Sequence, residues 1–191
     1  MEHKLKNIDQ LTHEKWVNLY KLNYENQNYL VASRNNKGSL VALTQTTKPD
    51  AVRVLPYYTQ NNKIFVVFIK EFRYAINKYV YELPAGLIDG NEEPLVAAKR
   101  ELLEEIGATT TSIKQISNLV YTSVGLSDES IVMFNAKIKL NKAQKLEPTE
   151  DINLEIVELK NIPKFLKTHE FCLCSYLMAL NFYNEKTKKQ L

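Results

Sequence analysis

The sequence predicts an α/β fold: a mixed sheet flanked by helices, with a β-hairpin extension at its N-terminus. Three observations carry this. Apolar runs of strand length recur between Ala51 and Leu159, one segment from Glu93 to Ile106 has helical spacing bounded by proline and glycine, and a second helical pattern closes the chain. The 191 residues, 45% of them hydrophobic, suffice for one compact domain with an accessory segment. A boundary is expected where the pattern changes, giving an N-terminal segment 1–49 and a main domain 50–191.

Within the first segment, Trp16 to Tyr24 alternates large and polar residues, Glu25-Asn-Gln-Asn28 offers a turn, and Tyr29 to Arg34 resumes the alternation. A lone hairpin is marginal in water, so this one should pack on the main domain or on another subunit. The runs Ala51–Tyr58 and Ile64–Glu71 predict central strands, followed by Tyr79–Leu83 and a loop at Pro84-Ala85-Gly86. Pro94 suits the first turn of the next helix, and Gly107 its left-handed stop. Further strands are expected at Ile113–Tyr121, Ile131–Leu140 and Ile152–Leu159, then a single helix from Pro163 to Tyr183 whose apolar face is Phe165, Leu166, Leu173, Tyr176, Leu177 and Leu180.

Charge and composition exclude several classes. The formal charge is +3, from 25 basic and 22 acidic residues, part of it in the tail Lys186, Lys188, Lys189, which is too little to predict a nucleic-acid partner. No window approaches the roughly 18 apolar residues needed to span a bilayer, and the polar start Met1-Glu2-His3-Lys4 lacks a signal core, so a cytoplasmic protein is expected. Cys172 and Cys174 stand too close for an easy disulfide and lack the second ligand pair of a zinc site; they are expected to be packing residues.

The chemistry concentrates between Gly86 and Ala108. Glu101, Glu104 and Glu105 stand at i, i+3 and i+4, so their side chains converge on one helical face, with Leu95, Ala98, Leu102 and Ile106 as the opposing apolar stripe. Carboxylates this close repel one another unless a cation neutralises them, and hard oxygen ligands suit Mg²⁺, with Mn²⁺ as a substitute. Such an ion takes further ligands from phosphates. Arg100 can pair with Glu104 four residues on, and Glu92 can fold back toward the same cluster.

The full pattern is Gly86, five residues, Glu92, seven residues, Arg100-Glu101, an aliphatic, any residue, Glu104-Glu105, any residue, Gly107 and a small apolar residue. It matches the Nudix box throughout, and the chain therefore resembles a Nudix hydrolase. The segments Lys15-Trp16-Val17, Tyr29–Arg34, Asp50-Ala51-Val52, Leu55-Pro56, Glu71-Phe72-Arg73, Glu82 to Asp89 and Gly125-Leu126-Ser127 are similar to those of the ADP-ribose and nucleotide-sugar pyrophosphatases, in the same order.

That resemblance implies a Nudix-type α/β/α sandwich and a homodimer in which the N-terminal hairpin reaches the partner. It implies metal ligation by Glu101, Glu104, Glu105 and the backbone carbonyl of Ala85. Arg73 would contact phosphates, with Glu82 in the substrate-binding set, and Arg34 a phosphate or the base region. Trp16 and Tyr29 would sandwich the base. A general base would come from a loop glutamate, Glu150 preferred, with Glu147 and Glu129 as alternatives. Catalysis would fall to Glu104, Glu105, Glu150 and Arg100. The implied reaction is metal-dependent hydrolysis of a nucleoside diphosphate derivative, first ADP-ribose, giving AMP and ribose 5-phosphate, or a nucleotide sugar. Ser123-Val124-Gly125 has valine where the ADP-ribose hydrolases carry proline, so GDP-mannose and dinucleotide substrates stay open. Two further alternatives are a non-catalytic nucleotide sensor on the same fold and an enzyme that cleanses oxidised nucleoside triphosphates.

Overall fold

A computed structural model of the chain describes residues 3–46, 48–148 and 150–188. Lys189 of the basic tail, Met1-Glu2 of the N-terminus and Thr149 of the acidic loop lie outside the described residues. The chain divides into two compact units, Met1–Asp50 with Leu119–Ile131, and Ala51–Asn118 with Val132–Leu191.

The first unit is built on a three-stranded antiparallel sheet, β1 (Leu5–Gln10), β2 (Asn18–Tyr24) and β3 (Asn28–Ser33), in that order. The predicted hairpin is β2–β3. The strand β1 adds to it, although its sequence Leu-Lys-Asn-Ile-Asp-Gln carries only two apolar residues. One of them, Ile8, enters a small core with Tyr20, Leu22, Val31 and Leu40. A single helical turn, α1 (Val41–Thr44), follows. Within the same unit, Ser130 donates its N–H (2.7 Å) and hydroxyl (2.9 Å) to the Asp50 carboxylate.

The second unit carries the main mixed sheet, whose path is β11 (Ile152–Glu158), β5 (Lys63–Arg73), β4 (Ala51–Gln60), β10 (Ser130–Leu140), β8 (Ala108–Gln115). Strand β6 (Lys78–Glu82) pairs with β5, and β7 (Ala85–Leu87) with β4, both antiparallel. The short β9 (Val120–Tyr121) pairs with Ser130 and Ile131, inside the first unit. Alternation along the strands sends successive residues to opposite faces. Val52, Val54, Val67 and Ile69 meet helix α2 (Pro94–Ile106) on one side. Leu55, Val66 and Phe68 meet α3 (Ile162–Thr168) and α4 (Leu173–Lys188) on the other. The unit is thus the expected α/β/α sandwich. Among the described residues no helix is long and apolar enough to cross a membrane.

Four sequence expectations change. Pro84-Ala85-Gly86 is not all loop, because Ala85–Leu87 finds backbone partners on β4. The strand expected over Ile113–Tyr121 is two pieces, Ala108–Gln115 and Val120–Tyr121, the second in the other unit. The single C-terminal helix is interrupted at His169, whose backbone is extended, and Phe171 then bridges to Tyr81. The interruption turns the apolar face: Leu173 and Leu177 are exposed, while Ser175, Met178, Ala179 and Phe182 are buried.

Candidate active site

Helix α2 begins with Pro94 in its first turn and stops at Gly107, whose φ of 61° is the left-handed region glycine favours. At about 100° per residue, the buried residues Ala97, Glu101, Glu105, Ala98, Leu102 and Ile106 follow one another around one half of the helix. The carboxylates are therefore not opposite the apolar stripe, as the sequence suggests, but beside it on the same buried face. Glu101 and Glu105 are only 6% and 3% exposed. Glu104 sits just outside the arc and is half-buried, and Leu95, on the first turn before the buried run begins, is exposed.

Burial of acids carries an electrostatic cost. Burial, assisted by repulsion from Glu104 and Glu150, raises the Glu101 carboxyl to about 7 against the pull of Arg100. Burial and the charges of Glu101, Glu71 and Glu150 push Glu105 well above the usual carboxylate range. One oxygen of Glu105 accepts a 3.3 Å hydrogen bond from the Ala85 N–H. The Glu101 carboxylate lies directly over Gly86, in space that any Cβ there would occupy. Strand β7 and helix α2 are thereby fixed against each other through these two acids.

Arg100 is the local counter-ion. Its Nη1 donates to Glu101 (2.6 Å) and Glu104 (3.1 Å), and its Nη2 to Glu92 (3.0 Å) and the Leu87 carbonyl (2.9 Å). The pair with Glu104 and the return of Glu92 agree with the sequence spacing. The contact with Glu101, one residue away, had no counterpart there. Among the described residues no three carboxylate, imidazole or thiol groups form a ready-made metal cage. A single guanidinium cannot satisfy two buried acids that repel each other, and a divalent cation beside Glu101 and Glu105 suits this donor set.

A second cluster borders the first. Glu82, 2% exposed, accepts from Arg73 Nε (2.5 Å) and Nη2 (3.0 Å) and from Arg53 Nη1 (3.0 Å). Burial works to raise Glu82, but the two guanidiniums outweigh it and hold the carboxyl below its ordinary range. Arg73 Nη1 also pairs with Glu71 at 2.9 Å. Burial raises Glu71 to about 7, with Glu82 and Glu150 repelling it and Arg73 opposing.

Sequence reasoning assigned no role to Glu71, Arg53 or Ser175. The available signal was Arg53 itself, a charge inside the apolar run Ala-Val-Arg-Val-Leu. Of the loop acids, Glu150 bears on Glu71, Glu101 and Glu105 electrostatically, and its carboxylate accepts the Glu147 N–H at 2.8 Å. Glu147 itself is exposed.

The remaining site candidates belong to the first unit. Trp16 is 66% exposed, with the Lys15 ammonium 4.4 Å from its ring centre. The Tyr29 hydroxyl donates to the Gly125 carbonyl at 2.7 Å. Arg34 pairs with Glu129 at 3.3 Å, and Glu129 also accepts from Thr122. Val124 is 74% exposed.

Comparison with known proteins gives concordant matches. The NUDIX domain family model matches residues 47–171. The ADP-ribose pyrophosphatase of Bacillus subtilis is 33% identical over 144 residues, covering 74% of this chain and 76% of its own. The mouse ADP-sugar pyrophosphatase is 28% identical, covering 85% and 74%, and the GDP-mannose pyrophosphatase of Escherichia coli is 31% identical, covering 68% and 70%. A crystal structure of an ADP compounds hydrolase superposes with a TM-score of 0.72 at 18% identity, over 100% of this chain and 96% of that one.

Proposed function

The chain belongs to the Nudix hydrolase family, and from that membership we propose a Mg²⁺-dependent pyrophosphatase acting on ADP-ribose or a nucleotide sugar. The observation that carries the reading is the pair of buried acids, Glu101 and Glu105, whose charge Arg100 balances only in part. With Glu104 and the Ala85 carbonyl they would hold divalent metal, which supplies charge neutralisation at the phosphates and activation of the attacking water. Arg100 orients the glutamates it touches.

Arg73, held in a two-point grip by Glu82, presents its remaining donors to the diphosphate. Glu150, whose field reaches Glu101 and Glu105, serves as the base that takes a proton from the water. Trp16 and Tyr29 stack on the base, and Arg34 contributes a further cation. We assign residues 1–49 as the dimerisation segment and 50–191 as the catalytic domain of a cytoplasmic homodimer.

ADP-ribose leads because the relatives named for it and for ADP-sugars cover most of the chain. GDP-mannose is a second reading, favoured by Val124 and by the Escherichia coli relative. Purified protein with Mg²⁺, assayed against ADP-ribose, ADP-glucose, GDP-mannose, diadenosine polyphosphates and 8-oxo-dGTP, tests it. Turnover of ADP-ribose to AMP is expected; cleavage of the triphosphate alone would overturn the substrate class.

A further inference from the structure

Arg53 lies at a junction that the chemistry above leaves unused. Its backbone stands opposite Ala85 in the β4–β7 ladder, and the neighbouring Val54 N–H donates to the Pro84 carbonyl at 2.8 Å. Its side chain leaves the other face of the sheet, where Nη1 reaches three acceptors: Glu82 (3.0 Å), the Leu83 carbonyl (3.2 Å) and the hydroxyl of Ser175 (2.7 Å).

Ser175 is 0% exposed, a polar residue among the buried apolar side chains Met178, Ala179 and Phe182 of α4. Its oxygen accepts a second hydrogen bond, from the Leu83 N–H at 2.9 Å. A hydroxyl has two acceptor sites. Both are filled, so its own proton faces Cys172 Sγ, 3.7 Å away. One hydroxyl on the C-terminal helix thus fixes the backbone just before Pro84-Ala85 and the guanidinium that shares Glu82 with Arg73.

We propose that Arg53 and Ser175 are positioning residues for the diphosphate site. They hold the Glu82 carboxylate and the 83–85 backbone in register from α4, so that Arg73 meets the substrate phosphates in one fixed orientation. The proposal rests on the pyrophosphatase reading for its substrate, but its geometric content does not. Without Arg53, Glu82 is anchored by Arg73 alone, and both can swing together. Without the Ser175 hydroxyl, Arg53 and the Leu83 N–H each lose an acceptor in a site closed to water.

The test uses the full-length Arg53→Met, Arg53→Lys and Ser175→Ala proteins with two readouts. Steady-state kinetics with Mg²⁺ and ADP-ribose, or the panel substrate turned over, should show KM raised about 10-fold in Arg53→Met and Ser175→Ala, the loss of roughly one charge-assisted hydrogen bond. The kcat should stay within about 3-fold, and Arg53→Lys should recover part of KM. Independently of substrate, nitrogen-15 NMR of the Arg73 Nε–H should show solvent exchange about 10-fold faster in both variants, as one such bond is lost.

If Arg53→Met fails to fold, Ser175→Ala and Arg53→Lys, which keep the charge, carry both readouts. Folded variants with wild-type KM and wild-type exchange overturn the proposal, as does a fall in kcat at unchanged KM. A wild-type protein inert on every nucleotide of the panel, with Arg73 protection still lost in the variants, sinks the pyrophosphatase reading and leaves the positioning role standing.

Discussion

The carboxylate of Glu101 occupies the space in which residue 86 would carry a Cβ, so the place of that carboxylate against β7 depends on residue 86 being glycine. Substituting Gly86→Ala forces Glu101 away from the backbone of β7. The expected outcome is a fall in kcat of at least about 100-fold, since a displacement of about 1 Å in a catalytic constellation costs that much. Mg²⁺-dependent turnover of the panel substrate measures it, and circular dichroism should show the fold retained.

The raised carboxyls make the metal-free protein less stable as pH rises. Glu71 and Glu101 titrate near 7 in the folded chain and near 4.5 unfolded, so between those values the folded state holds more protons. The contribution of these two groups is full below about 4.5 and declines toward about 7, by up to about 1.4 kcal/mol per pH unit per group. Thermal melts of EDTA-treated protein from pH 5 to 8 should show Tm falling, and Mg²⁺ should raise Tm most at the upper end. A flat profile would contradict the burial assigned to these acids.

Glu82 has the opposite sign. Its depressed carboxyl contributes stability that is present above about 4.5 and lost as pH falls through its folded value. Glu82→Gln leaves two buried guanidiniums facing a neutral amide, and urea denaturation at pH 7 should show a loss of about 3 kcal/mol. The same variant should show a shallower acid-side decline than the wild type, because the Glu82 contribution is gone.

Among the loop acids, only Glu150 is expected to act on water. Glu150→Gln should lower kcat about 100-fold, within the range for a general base, whereas Glu147→Gln and Glu129→Gln should stay within about 3-fold of wild type. Steady-state kcat of the three variants with Mg²⁺ and the panel substrate decides it. An equal loss in Glu129→Gln would move the base to the other loop.

Much of this arrangement was legible in the sequence where local chemistry is self-contained. Helix α2 was readable because Pro94 and Gly107 mark its ends and its spacing is regular. The β2–β3 hairpin was readable from its alternation. What escaped was decided by partners distant in the chain. Pro84-Ala85-Gly86 has the residues of a turn, yet its backbone finds β4. Glu101 and Glu105 are acids on a buried face, which hydropathy alone assigns to water. The interruption at His169 carries neither glycine nor proline and follows from the bridge between Phe171 and Tyr81. Ser175 looked like an ordinary helix residue because its three hydrogen-bonding neighbours come from β4, the end of β6 and the interruption before α4.

The grip of Arg100 on Glu101 and Glu104 has a consequence for how the protein meets its ion. Nη1 engages one oxygen of each carboxylate, Oε1 of Glu101 and Oε2 of Glu104, and each carboxylate has a second oxygen that a divalent ion would use. A divalent ion there would share the two carboxylates with the guanidinium, whose charge lowers the repulsion between them. Arg100 then works as a tether, tying three acids from a loop and a helix to one guanidinium so that they keep a common spacing whichever further cation they take.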